Sequence, residues 1–418
     1  MTTRSTGQSW ALDIALAQGG FDALHPQAKG TMVELGHNAT DFDKVFALVK
    51  SGAMLPKAWA TIAFQAEQRA QHHEEHGYGR TAADLYTRAA VMFGRAQYSI
   101  FDSTDPRKIM LREHCDHAVD RLAELRGGVV RRVEIPFEGK TLFALLHLPS
   151  TPARNASAVI LGPGMDMIKE DYIQIAERYY TSQGVVALSI EGPGQGQTRS
   201  EGLTVDLDNY SRAIDAYVDY LAALDEVDAG RIGMFGISMS GHWGLAAASR
   251  KDHGLRALAS FEGVTGTFET IFERAQPTFK NNYLYMTGYT DETLFDSEIA
   301  RRMPLGDRVR DIDIPVLMAQ GEFDELTPLE EALATYEKIT APKQMRVFEG
   351  EFHPLGGVAA EMCRFGADWL SRALTGEFDG TSMDERYFVH TDGDTTDGSA
   401  DPTWWNGEMP VSLEQARR

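Results

Sequence analysis

The chain reads as an α/β protein, a doubly wound, mostly parallel sheet preceded by an all-helical N-terminal segment. Three observations predict this. Up to about Leu125 apolar residues recur at three and four positions, and from Val129 to Ser150 they alternate. From Ala156 onward, short β-branched apolar runs take turns with amphipathic stretches. Strands that are apolar along their whole length need helices on both faces of the sheet.

The elements follow in order. "FDKVFALVKSGAMLPKAWATIAFQAEQRAQHHEEH" and "TAADLYTRAAVMFGRAQYSI" are Ala-rich and helical in spacing. "VVRRVEIPFEGKTLFALLHLPS" predicts two antiparallel strands around a turn at Glu138-Gly139-Lys140. Strand "ASAVILGPG" is followed by a helix through "EDYIQIAERYYTSQG", and "VVALSIEGPG" by a long helix near "DLDNYSRAIDAYVDYLAAL". "RIGMFGIS" leads into "HWGLAAAS", and after "LRALASFEG" a largely helical excursion runs through Arg301. "IPVLMAQGEFD" then leads into "PLEEALATYEKI", and "KQMRVFEGEFH" into "GGVAAEMCRFGADWLSRAL". The expected domains are a helical one over 1–127, an α/β domain over 128–375 and an acidic tail over 376–418. The tail is expected to wrap the surface or a partner subunit, with Trp404 and Trp405 as anchors.

Composition excludes several functions. With 40 Lys+Arg against 61 Asp+Glu the formal charge is −21, and no basic cluster interrupts it, so a nucleic-acid or anionic-membrane surface is not expected. The expected partner is a small-molecule substrate. Cys115 and Cys363 cannot form a disulfide framework and read as reduced thiols. The N-terminus lacks the apolar core of a signal peptide, and no run approaches the roughly 20 apolar residues of a membrane helix. These features predict a cytoplasmic protein.

The chemistry-bearing stretch is "GMFGISMSGHWG", between a strand and a helix. A nucleophilic serine at such a turn needs small residues two before and two after it, because strand and helix crowd there. Ser238 has Gly236 and Ser240, whereas Ser240 would have Ser238 and His242, whose imidazole would clash. Ser238 is therefore the expected nucleophile, with Ser240 standing where glycine is usual. The pentapeptide alone is a weak signal, and its partners decide. In a parallel sheet the acid and the base follow at the ends of later strands, in the order Ser, Asp/Glu, His. "GEFDELTP" offers Glu322, Asp324 and Glu325; "EFHPLGG" offers His353. Asp324 is favoured because it lies in the turn past the strand, while Glu322 abuts the strand end and Glu325 is expected to point away. His353, closing the last strand, is the expected base. The oxyanion hole is expected from the amide of Met239, with Met165 or Gly164 as second donor from the loop after "ASAVILG".

Other signals read as structural. "QHHEEH" is one residue short of the His-Glu-x-x-His spacing, and the pairs His72/His76 and His114/His117 read as polar helix faces, so no metal is expected. "EGPGQGQ" lacks a dinucleotide fingerprint and reads as a tight turn near the pocket, where Glu191 and Arg199 are expected to pair; no cofactor is expected.

Together, "LGPGMDMIKED", "IEGPGQGQT", "GISMSG", "GEFDELTP" and "EFHPLGG", behind an all-helical segment, resemble the FrsA-like esterase group of α/β-hydrolases, over about residues 20 to 375. The resemblance implies the α/β-hydrolase fold, a triad of Ser238, Asp324 and His353, N-terminal helices that cap the site, and a homodimer. It also implies a choice of reaction, since several members of the group hydrolyse carbon–carbon bonds beside a ketone rather than simple esters. Such cleavage releases a carbanion or enol and calls for an assisting acid. Glu273 and Glu262 follow the strand "LRALASF" and are the candidates, though a solvated carboxylate is the plainer reading of each.

Overall fold

Alternation from Val130 produces the first hairpin of the computed structural model, which describes residues 9–151 and 154–397. Strands β1 (Val130–Phe137) and β2 (Lys140–His147) pair antiparallel with Phe137 opposite Lys140. Only Glu138 and Gly139 remain between them, both at positive φ (48° and 75°), the backbone a two-residue hairpin turn requires. Strands β3 (Ala156–Gly162), β4 (Val186–Glu191), β5 (Val227–Ile237), β6 (Ala257–Phe261), β7 (Val316–Gly321) and β8 (Lys343–Phe348) follow. The sheet order is β1-β2-β4-β3-β5-β6-β7-β8-β9-β10, ten strands, parallel from β4 through β9. β4, β6 and β7 are buried at every position, as sheets covered on both faces demand.

The last two strands lie beyond residue 375. β9 (Asp384–Val389) pairs parallel with β8, and β10 (Thr395–Asp397) pairs antiparallel with β9. Part of the segment set apart in the sequence as an acidic tail thus extends the sheet. Trp404 and Trp405 lie outside the described residues.

The N-terminal helices are α1 (Ser9–Gly19), α2 (Lys29–Glu34), α3 (Ala39–Leu48), α4 (Leu55–Glu75), α5 (Gly79–Tyr98) and α6 (Pro106–Leu125). Buried alanines (Ala63, Ala66, Ala70, Ala82, Ala89, Ala90) let α4, α5 and α6 pack closely. Their core is continuous with one face of the sheet. Val159 and Leu161 of β3 join the helical cluster, while Ala158 and Ile160 join the cluster under the opposite face. At Gly94 of α5 a Cβ would stand 2.5 Å from Ile168 Cδ1, so the helix can approach the loop after β3 only as glycine. On the sheet, α7 (Asn209–Ala222) and α8 (Met239–Ala248) cover the face opposite the helical cluster, and α12 (Ala359–Leu374) lies on the helical side. Three shorter helices, α9 (Pro277–Thr287), α10 (Glu292–Glu298) and α11 (Leu329–Tyr336), complete the connections discussed below. The helix expected through "EDYIQIAERYYTSQG" is instead a chain of short 3-10, α and π turns, Lys169–Tyr172 to Thr181–Gln183. Among the described residues no helix is long and apolar enough to cross a membrane.

Candidate active site

Ser238 follows β5 directly and precedes α8, at φ 58° and ψ −125°, a strained backbone for a residue with a Cβ. Its amide donates to Phe261 O at 2.8 Å, which ties the turn to the end of β6. Crowding here is as the sequence implies. A Cβ at Gly236 would stand 2.6 Å from Ser240 O, and one at Gly241 2.8 Å from Gly263 Cα. Ser240 is fully buried; its hydroxyl donates to Gly162 O and to Ile237 O, so it ties α8 to β3 and β5.

His353 and Asp324 meet across the ends of β7 and β8. His353 Nδ1 lies 3.0 Å from Asp324 Oδ2, and both side chains are buried. Asp324 is held from every side. Its Oδ1 accepts from the Leu326 and Thr327 amides, both at 2.8 Å, and its Oδ2 also accepts from Gln320 Nε2 at 2.9 Å. With Nδ1–H donating to the carboxylate, the Nε2 lone pair is left to the other side of the ring. His353 and Ser238 line one chamber. Burial opposes charge on His353, but Asp324, then Glu262, and the hydrogen bond to Asp324 together raise its pKa above the ordinary imidazole range.

The other two acids of "GEFDELTP" have separate partners. Glu322 accepts from the Gly350 amide at 3.0 Å. Glu325, expected to point away, instead accepts from the His353 amide (3.1 Å) and from His25 Nδ1 (3.1 Å), so it fastens the His353 backbone to the N-terminal region. That region reaches this loop twice more. Thr31 donates to Pro354 O at 2.6 Å, and a Cβ at Gly30 would stand 1.9 Å from Gly356 O, so two backbones touch.

The proposed oxyanion donors face the same chamber. Met239 opens α8, where a helix's first amides lack intrahelical acceptors. In the loop after β3, Gln195 Nε2 donates to Gly164 O at 2.8 Å, Asn282 Nδ2 donates to Met165 O at 3.0 Å, and Arg95 pairs with Asp166 at 2.7 Å. A trans peptide points its N–H opposite its C=O. With Gly164 O turned to Gln195, the Met165 N–H is aimed the other way, and among the described residues it has no acceptor. Of the two expected donors, this geometry favours Met165 over Gly164.

The two candidate assisting acids part company. Glu262 ends β6 at φ 49°, is 1% exposed, and has its Oε2 3.7 Å from His353 Nδ1. Among the described residues neither of its oxygens has a hydrogen-bond partner, and burial pushes its pKa well above the usual carboxylate range. It stands behind the imidazole, on the Asp324 side. Glu273 is exposed and accepts from Lys280 of α9 at 2.7 Å, so it is not brought to the chamber.

Glu262, Asp324 and His353 form a tight group of potential metal ligands, their atoms within 4.8 Å of one another. The Nδ1 a metal would need is already engaged by Asp324. His114 and His117 both turn Nδ1 to Glu67, at 2.9 and 3.2 Å, while the His72 and His76 rings are tilted at 38° with centroids 4.2 Å apart. The expected Glu191–Arg199 pair does not form. Glu191 lies 3.3 Å from Lys169, and Arg199 Nε donates to Tyr285 O at 2.7 Å. His25, Arg95, Gln195 and Asn282 escaped the sequence reading, and only Gln195 carried a signal, in the glycine-rich turn.

The fold and the strand–turn–helix at Ser238 define an α/β-hydrolase. The crystal structure of 2,6-dihydroxy-pseudo-oxynicotine hydrolase shares this fold at a TM-score of 0.73 and 22% identity, covering 85% of this chain and 98% of that one. AbyA5 aligns at a TM-score of 0.61 and 21% identity, over 77% and 90%. In sequence, residues 29–286 match the family described as esterase FrsA-like, and the chain belongs to that family. Its relatives include Hydrolase LUC6 of Fusarium sp., 28% identical over 65% of this chain and 67% of the relative. Another is 2,6-dihydropseudooxynicotine hydrolase of Paenarthrobacter nicotinovorans, 25% identical over 76% and 83%.

Proposed function

We propose that the protein is a serine hydrolase in which Ser238 attacks a carbonyl carbon. His353 takes the serine proton and returns it to the leaving group, while Asp324 holds the imidazole tautomer. The Met239 and Met165 amides bind the oxyanion, and a water activated by His353 releases the acyl group. The observation that carries this reading is the 3.0 Å contact between Asp324 and His353, with the imidazole lining one chamber with a serine at φ 58°.

The bond cleaved is an acyl bond, and a carbon–carbon bond beside a ketone is favoured over a simple ester. Glu262 supports this: a buried carboxyl whose pKa is raised by burial, 3.7 Å from the base, can exchange a proton with it, a supply that ester hydrolysis does not need. Kinetics on a β-diketone and an aryl ester compare the two directly. A fluorophosphonate probe followed by mass mapping tests the nucleophile: modification at Ser238, lost in His353→Ala, is the expected result. Asp324→Asn should keep the melting temperature and lower kcat by about 10³–10⁴. A folded protein that reacts nowhere with the probe, or Ser238→Ala with full activity, would overturn the assignment.

A further inference from the structure

The chamber holding Ser238 and His353 encloses about 70 Å³. Beside it lies an outer cavity of about 610 Å³. Phe21, His25, Met32, Arg95, Asp166 and Phe279 line both, so the two adjoin at this neck. They differ in character as well as size. Away from the neck the inner chamber is closed by Leu35, Ile237, Ile271 and Leu326, all buried. The outer cavity presents Phe46, Trp59, Tyr98 and Phe101.

A cavity of roughly 150 Å³ is what the six heavy atoms of benzene need, so the inner chamber of about 70 Å³ has room for only about three heavy atoms. Its walls are fixed. Gly30 and Gly356 put the cap backbone against the His353 loop, Thr31 donates to Pro354 O, and His25 is held by Glu325. The neck carries an ion pair. Arg95 pairs with Asp166, and its buried Nε–H has no acceptor among the described residues.

We propose that the protein is specific for carbonyl compounds with one short apolar arm and one bulky aromatic arm. The short arm fills the inner chamber, the bulky arm crosses the neck into the outer cavity, and a polar atom near the carbonyl on that arm meets Arg95. This rests on Ser238 being the nucleophile, as proposed above, and adds the shape of its substrate.

The test uses two 4-nitrophenyl phosphonates with the same naphthylmethyl ester arm, one carrying methyl on phosphorus and the other hexyl. Ser238 Oγ bonds to phosphorus, 4-nitrophenolate leaves, and the serine proton passes to His353, so inactivation needs no turnover. Rates are divided by those with hydroxide ion and the labelled residue is mapped by mass. The methyl reagent should react at least about 100-fold faster than the hexyl one. Ile271→Ala, which lengthens the inner chamber, should speed the hexyl reagent by about tenfold relative to the methyl reagent. Leu35→Ala gives the same readout from the opposite wall should the first variant fail to fold. Equal labelling of Ser238 by both reagents overturns the size rule alone, as does an enlarged variant that treats both as the wild type does. Failure of both reagents to label folded wild-type protein overturns the serine-hydrolase reading, and the size rule with it.

Discussion

Ser238 and Ser240 stand two positions apart and meet opposite fates. Ser240 spends its hydroxyl on two backbone carbonyls in the core, while Ser238 is thrust into a chamber by its backbone. At the same scale, Glu262 stands 3.7 Å from His353 Nδ1, on the side of the ring that Asp324 holds. The base is active only when neutral, that is, above its pKa. An anionic neighbour raises that pKa, so replacing Glu262 by the neutral, nearly isosteric Gln removes one cause of the rise. The acidic limb of kcat/KM in Glu262→Gln should therefore move to lower pH. An unmoved limb would mean that Glu262 keeps its proton throughout the working range.

Among the elements, the loop after β3 depends on groups from outside it. Gln195, itself held by Tyr210 (2.6 Å), grips Gly164 O, and Asn282 of α9 grips Met165 O. Gln195→Met leaves Gly164 O with the longer bond from the Met167 amide (3.2 Å) and loosens the opposed amide with it. The expected loss is about 10–100-fold in kcat with KM within about threefold, since the oxyanion forms only on the reaction path. Steady-state kinetics separate this from a folding defect, which would lower active-site titre and leave kcat per site unchanged. What the sequence revealed and what it hid divide at this scale. The strand ends carry local signals, so Ser238, Asp324 and His353 could be picked out by type, spacing and order. Gln195, Asn282, Arg95 and His25 reach the site through tertiary docking, and no periodicity or spacing encodes where a distant loop lands. Glu325 was misjudged for the same reason: its partner His25 lies 300 residues away. The strand "DERYFV" was overlooked because six residues are outweighed by the Asp/Gly/Thr composition around them.

Over the whole molecule, the helical cap and the sheet are joined by buried charge as well as by a shared core. Arg112 of α6 pairs with Glu170 in the turn after β3, and Lys169 lies 3.0 Å from Glu170 and 3.3 Å from Glu191, with all three of these loop and strand side chains buried. Removing Arg112 leaves the two buried carboxylates with Lys169 as their cation among these groups. Arg112→Met should cost about 3–5 kcal/mol of unfolding free energy, read from denaturant melts. The charged cluster thus makes cap docking specific as well as stable, since a displaced cap would leave Glu170 and Glu191 in an apolar interior with less countercharge.

The pairing of β9 with β8 bears on how the chain can be shortened. Motifs alone would invite a cut near residue 375, past the last helix. Such a cut would bare the outer rim of β8 from Lys343 to Phe348, a row of amides and carbonyls now occupied by Asp384–Val389. A row of that kind recruits the same row on another molecule, so the trimmed protein should self-associate into insoluble material while retaining Ser238, Asp324 and His353.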